Sequence, residues 1–299
     1  MKIYDIIIVG AGPAGLTAAI YAGRANKSVL VLEKDTFGGQ ITSSPQVENI
    51  PGFVSITGAE FGDKLVEQAM NLDAEIECAE VLEIKDGETK TVVTDDGEFY
   101  AKAVIIATGT KHRLLGLDKE EEFIGNGISF CAVCDGAFYE GKTVAVIGGG
   151  NSALQESILL SSLCKKVYVV QNLDYFTGEK KLADELVTKE NVEIILGATV
   201  DKLLGEDELA GITINTANGK KDITVDGMFL AIGLLPQNEQ FANLVKLNDY
   251  GYVDSAEDCI TNVDGIFVAG DCRSKRIRQV ATAAADGATA ALAACDYIK

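Results

Sequence analysis

The chain has 299 residues and one histidine, His112, so an imidazole-based charge relay has a single residue to draw on. His112 stands between Lys111 and Arg113, and a solvated linker position is the simpler expectation for it. Positive charge is scarce as well: 26 Lys and Arg face 45 Asp and Glu, a net charge of -19. That balance argues against nucleic acid as a partner, because counterion release at phosphates needs a basic surface. Apolar runs stop well short of the roughly 18 residues of a membrane span. Asp5 and a glycine loop follow the start too closely for a secretory signal, so no membrane role is read and a cytoplasmic enzyme is expected. No low-complexity segment occurs. Of seven cysteines, Cys78, Cys164, Cys259, Cys272 and Cys295 stand singly without metal-ligand spacing; they read as unpaired thiols, and no metal site is expected.

The composition that remains, 47% apolar and 24% charged, is that of a globular chain long enough for two domains. Two glycine-rich loops of nucleotide-binding type mark them. The first, Gly10-Ala11-Gly12-Pro13-Ala14-Gly15, follows the apolar run Tyr4 to Val9, and Glu33 ends the next run. This is a complete dinucleotide fingerprint: glycines for the tight turn, for close approach to a pyrophosphate and for helix-strand contact, with an acid about 20 residues on for the ribose hydroxyls.

The second loop, Gly148-Gly149-Gly150-Asn151-Ser152-Ala153, follows Thr143 to Ile147 and is equally able to cradle phosphates at a helix N-terminus. The step that led from Gly10 to Glu33 leads here from Gly148 to Gln171. Residues 171–177 read Gln-Asn-Leu-Asp-Tyr-Phe-Thr, with no carboxylate at the ribose position and no arginine for a 2'-phosphate. The alternative is that Gln171 makes a weaker ribose hydrogen bond and a nicotinamide nucleotide still binds.

Cys131-Ala132-Val133-Cys134 has the redox spacing of two thiols that form a reversible disulfide. Asp135 follows at once, placed to move a proton when a thiol attacks or leaves, or else to serve as a turn or capping aspartate beside Gly136. Strand-type runs near residues 3–9, 28–32 and 103–107 frame the first domain. The pattern restarts from about Leu115 to Phe241, and a strand, the Gly270-Asp271 turn and an alanine-rich helix complete the first domain afterwards. Gly270-Asp271 places a carboxylate at a nucleotide's ribityl or phosphate region, or is a plain strand-ending turn.

These motifs, with Gly38-Gly39-Gln40, Glu48-Asn49-Ile50-Pro51-Gly52 and Ala107-Thr108-Gly109, resemble the low-molecular-weight thioredoxin reductase family over nearly the whole chain. The resemblance implies an α/β fold of two Rossmann-like dinucleotide-binding domains, each three-layer ββα, the second inserted into the first. Residues 1–114 and 242–299 would form a discontinuous FAD-binding domain, and 115–241 a redox-disulfide domain with a degenerate NAD(P)H site. It implies a homodimer that reduces thioredoxin, with FAD held by Gly10, Gly12, Pro13, Ala14, Gly15, Glu33, Lys34, Gly39, Gln40, Asn49, Val81, Thr108, Gly109, Gly270, Asp271, Arg278, Gln279 and Val280. By position, Cys134 would face the flavin, Cys131 would attack thioredoxin and Asp135 would donate the proton.

NADPH-dependent members carry a histidine and two arginines after the second domain's strand and a third arginine a turn later; here those places hold Gln171, Asn172, Leu173 and Thr177. The pattern resembles the ferredoxin-dependent flavin thioredoxin reductases. A ferredoxin near about -400 mV drives a thioredoxin near about -270 mV by roughly 6 kcal/mol for two electrons. An acidic ferredoxin needs local positive charge, and Arg273, Lys275, Arg276 and Arg278 form the candidate docking cluster, with Lys111 and Arg113 as a second. The competing readings are an NAD(P)H-dependent reductase with an atypical nucleotide site and a redox-sensing flavoprotein. Because one dithiol must meet both flavin and thioredoxin, a domain rotation about residues 110–115 and 233–237 is expected.

Overall fold

The computed structural model describes residues 2–44 and 46–299. It divides into two compact units, Met1–Lys111 with Leu235–Lys299, and His112–Leu234 between them. In the first unit, β1 (Ile3–Val9), β2 (Val29–Glu33), β3 (Glu75–Cys78), the hairpin β4 (Val81–Lys85) and β5 (Lys90–Thr94), and β6 (Glu98–Ile106) build one sheet, with β17 (Ile266–Val268) beside β6. Strands β3, β2, β1, β6 and β17 run parallel, while β4 and β5 are antiparallel. Their Val- and Ile-rich sequences suit strands buried on both faces. Ile6 and Ile8 point into the core under α1 (Pro13–Arg24) and α7 (Val280–Tyr297), and Ile7 and Val9 into the core on the other face. Helix α2 (Gly58–Met70) is started by Thr57, whose Oγ1 accepts from Glu60 N at 3.1 Å.

The first crossing between units is β7 (Thr110–His112), which pairs with β16 (Leu234–Pro236) at the second. The inserted unit holds α3 (Glu120–Phe123), β8 (Ile128–Ser129), α4 (Ala132–Asp135), β9 (Thr143–Ile147), α5 (Asn151–Leu163), β10 (Lys166–Gln171), α6 (Lys180–Val187) and β11 (Val192–Leu196). A meander of β12 (Thr199–Leu204), β13 (Gly211–Thr216) and β14 (Gly219–Thr224) precedes β15 (Gly227–Leu230). Its sheet is parallel in the order β11-β10-β9-β15-β8, with the meander packed on one face and α5 and α6 on the other. This is an α/β chain with Rossmann-like domains.

Both crossings fall earlier than the expected breaks after residues 114 and 241. Leu115 packs in the inserted unit's core, and Arg113 N donates to Gly233 O at 3.1 Å within that unit. Asn238 is fully buried in the first unit, where its amide donates to Gly251 O at 3.0 Å and Cys272 O at 2.8 Å, and Phe241 joins that unit's core. The glycine and proline before them mark the turn, while the buried polar side chain determines the side of the boundary.

Candidate active site

The first glycine loop is held by close backbone contacts that a side chain would obstruct. Gly10 has φ +110°, and a Cβ there would overlap the Ala107 carbonyl; one on Gly15 would overlap the Gly10 carbonyl. Gly39, at φ +70°, lies so near Gly12 that its Cβ would stand 2.8 Å from the Gly12 Cα. Pro13 opens α1 at a position where its missing N–H costs nothing. Glu33, at the end of β2, accepts from Ala11 N at 2.8 Å and from Asp35 N at 2.9 Å, so its carboxylate rests against the loop.

Residues distant in sequence meet this loop. Ala14 lies under Gly270, where a Cβ would come within 2.8 Å of the alanine methyl. Thr108 Oγ1 donates to Asn238 Oδ1 at 3.0 Å, and Gly109 has φ +66°. Asn49 Nδ2 donates to Gln279 Oε1 at 3.1 Å, and Gln279 forms the capping box of α7 with Thr282, just before Val280. Arg278 donates from Nε to Asp271 O at 3.3 Å and lies 4.2 Å over the Tyr252 ring. Lys34 pairs with Glu80 at 2.9 Å, next to buried Val81 at the start of β4; Gln40 is exposed in the 3-10 turn Gly39–Ser43.

Asp271 Oδ1 is buried with no hydrogen-bond partner, and burial pushes this carboxyl above its ordinary value. A buried acceptor costs free energy unless a donor meets it, which a sugar-alcohol hydroxyl of a bound nucleotide would do. The glycine cradle, the Glu33 carboxylate and this orphaned oxygen together fit FAD.

The expected cationic docking cluster is not a surface patch. Arg273 is 1% exposed and donates to Asp286 from Nε and Nη2, each at 2.9 Å; Lys275 Nζ reaches the same carboxylate at 2.8 Å. Asp286 Oδ2 also accepts from Gly270 N at 3.0 Å. Of Arg273, Lys275, Arg276 and Arg278 only Arg276 is exposed. The lone Asp286-Gly287 pair inside an alanine-rich helix was the sequence signal for this arrangement, because a buried carboxylate there needs cations to face it.

In the inserted unit Cys131 and Cys134 are joined as a disulfide with Cα atoms 5.3 Å apart, on the short α4. Cys131 is its N-cap and accepts from Cys134 N at 3.2 Å. Ser129 Oγ donates to Asp135 Oδ2 at 2.5 Å and accepts from Cys131 N at 3.1 Å, coupling the acid to the dithiol turn. Asp135 Oδ1 is buried and unpartnered. Burial raises the Asp135 carboxyl above its ordinary range, and the Ser129 hydroxyl offsets part of that rise. Its side chain caps no helix, so the alternative of a capping aspartate is not realised. Sequence reasoning missed Ser129 and Asn238, since nothing in a lone serine or asparagine reports a partner that folding supplies. The five single cysteines are free thiols; all but Cys78 are buried.

The second loop is covered by the segment that follows β10. Gln171 is 4% exposed, donates from Nε2 to Tyr175 O at 3.2 Å and accepts from Asn172 N at 3.2 Å. A Cβ on Gly149 would come within 2.5 Å of that Nε2. Thr177 N and Gly178 N both donate to Gly149 O, at 2.9 and 3.0 Å. The side chain at the ribose position is thus satisfied by its own loop. His112 departs from the solvated position expected of it: the ring stacks on Phe130 with centroids 4.1 Å apart, and burial lowers its pKa to about 4.

The chain matches the pyridine nucleotide-disulphide oxidoreductase family over residues 4–287. It is 42% identical over 302 residues to a 34.2 kDa protein in rubredoxin operon of Clostridium pasteurianum, covering 99% of this chain and 98% of the relative. It is 41% identical to a thioredoxin reductase of Bacillus subtilis, covering 100% and 96%. Among solved structures it is similar to the thioredoxin reductase from Streptococcus pyogenes MGAS5005, at TM-score 0.94 and 37% identity over 99% of this chain and 98% of the other. With the dithiol turn, the fitted flavin cradle and matches across almost its whole length, the chain belongs to the pyridine nucleotide-disulphide oxidoreductase family, in its low-molecular-weight thioredoxin reductase branch, whose cofactor is FAD.

Proposed function

We propose that the protein reduces the disulfide of thioredoxin through Cys131 and Cys134, drawing electrons from reduced ferredoxin and not from NADPH. The observation that carries the exchange chemistry is the disulfide turn with a buried, proton-raised Asp135 tied to it through Ser129. FAD, when bound by the Gly10 loop, Glu33 and Asp271, supplies the electron pair that opens this disulfide. In the reduced dithiol, the Cys131 thiolate attacks one sulfur of the substrate disulfide, whose S–S bond breaks. Asp135 gives its proton to the departing thiolate. The Cys134 thiolate then attacks Cys131 Sγ in the mixed disulfide, breaking its bond to the substrate sulfur, which leaves as the second substrate thiol once protonated, and the Cys131–Cys134 bond is restored. A homodimer, implied by the resemblance, is checked by the mass of the enzyme in solution.

The donor assignment rests on residues 171–177. Gln171 is turned into its own loop, and Asn172, Leu173 and Thr177 offer no guanidinium for a 2'-phosphate. One relative is named as a protein of a rubredoxin operon. Of the two candidate clusters Arg276, Arg113 and Lys111 are exposed, Lys111 lying 3.7 Å from Asp35, and these are left to steer an acidic carrier. A second reading, reduction by a pyridine nucleotide, is favoured by the family's description and by exposed Lys180 and Lys181 at the start of α6. Anaerobic mixing separates the two: rapid flavin bleaching by reduced ferredoxin, with NADPH and NADH inert, supports the first, and bleaching by either nucleotide at modest concentration overturns it.

A further inference from the structure

We infer that Glu156 is a positioning residue for the Cys131–Cys134 couple: its carboxylate holds the first amide of the redox turn, and its charge opposes ionisation of the attacking thiol. The inference rests on the disulfide-exchange reading above.

Helix α5 lies directly against the redox turn. Ala132 is buried in one cluster with Ala153 and Leu160, and a Cβ on Gly136 would stand 3.3 Å from methyls of Leu160 and Leu163. Glu156 is three residues from Ala153 and four from Leu160, so it shares their helix face. From there its carboxylate accepts from the Ala132 amide, while Oε2 is buried without a partner. A carboxyl in such a place is kept only where its proton or charge is used or its burial is offset elsewhere.

Burial pushes the Glu156 carboxyl up to about 7, and the Ala132 amide offsets part of that rise. Few groups face it with compensating charge. The redox turn brings Asp135, the 3-10 turn Gly136–Tyr139 brings Tyr139, and β9 brings no ionisable side chain. Strand β10 carries Lys166, committed to Glu193 at 3.0 Å, and Tyr168. Helix α6 carries Lys180, Lys181, Asp184 and Glu185, the last paired with Lys189 at 3.5 Å. Among the described residues none forms an ion pair with Glu156. The charge therefore sits next to the dithiol uncompensated when it forms, and a thiolate beside it is disfavoured.

The test is alkylation of the dithiothreitol-reduced holoenzyme by iodoacetamide across pH values around the ordinary thiol value of about 8.5, with mass spectrometry locating the label on Cys131 or Cys134. Wild type is expected to show a profile broader than one ionisation, as two coupled groups give. Glu156→Gln, which keeps an acceptor for the Ala132 amide, is expected to narrow the profile and to react about tenfold faster near neutral pH. Flavin content should stay at the wild-type value, and the melting temperature near neutral pH should be at or above it, because the variant no longer carries the buried charge. Superimposable profiles overturn the inference; should the variant fail to fold, a single-ionisation curve in wild type overturns it. Because the probe is a small electrophile, a persisting shift alongside absent thioredoxin turnover would count against the substrate reading and not against this one.

Discussion

Arg273 and Asp286 form a bidentate pair in the first unit, Nε to Oδ2 and Nη2 to Oδ1 both at 2.9 Å, with the arginine 1% and the aspartate side chain 8% exposed. The same carboxylate takes the Gly270 amide, so the pair anchors the turn that carries Asp271.

Asp286→Ala would leave Arg273 with only the exposed Glu257 carboxylate at 3.2 Å and Lys275 with Asp271 at 3.9 Å, so the loss should approach but not exceed that of a broken buried pair, about 3–5 kcal/mol. Purified variant should show a lower ratio of flavin to protein absorbance and unfold at lower denaturant. An unchanged flavin ratio would separate the pair from the cofactor turn. Burial pushes the Asp286 carboxyl up, but Arg273 and Lys275 outweigh it and hold the group below its ordinary value. Its contribution is accordingly present above the unfolded carboxylate value and is lost as pH falls through the folded one. Acid titration of wild type should release flavin in that window, and the Ala variant should show no such step.

Cys134→Ser should trap thioredoxin as a stable mixed disulfide on Cys131, since the resolving thiolate is gone. Non-reducing electrophoresis reads the adduct. Accumulation with Cys131→Ser in its place would reverse the two roles.

Asp135→Asn should lower turnover by about 10²–10⁴-fold, the usual contribution of a positioned acid. In wild type the activity that needs the protonated acid is complete below its raised value and falls as pH climbs through it. Ser129→Ala removes the hydroxyl that offsets the rise, and the alkaline limb of the pH–rate profile should move to higher pH. A limb that stays in place would dissociate Ser129 from the acid.

Asn172 and Leu173 are exposed, so Asn172→Arg and Leu173→Arg should be tolerated by the fold. Joined with Thr177→Arg, they should confer NADPH-driven flavin bleaching, each charge-assisted bond contributing about 1.5–3 kcal/mol. Stopped-flow absorbance checks this. Efficient bleaching of wild type by NADPH would remove the need for the graft and the ferredoxin reading with it.

The sequence by itself determined the local devices. Glycines at 10 and 15 admit only a backbone packed too closely for side chains, a Cys-x-x-Cys spacing brings two sulfurs within bonding reach, and paired glycine loops each after an apolar run announce two Rossmann-like units. Gln171 in place of a ribose-binding acid was equally legible, because the glycine loop sets the register in which it is read. Charge was not legible. Arg273 and Lys275 look like a surface patch along the chain, but Asp286 reaches them only when α7 packs beneath the Gly270 turn, and burial then turns a docking surface into an internal ion pair. Glu156 and Asp135 are likewise ordinary acids in sequence; burial in the folded unit removes water from both and raises their proton affinity. A residue's partners along the chain are set by its spacing, whereas desolvation belongs to whatever the fold places on the other side.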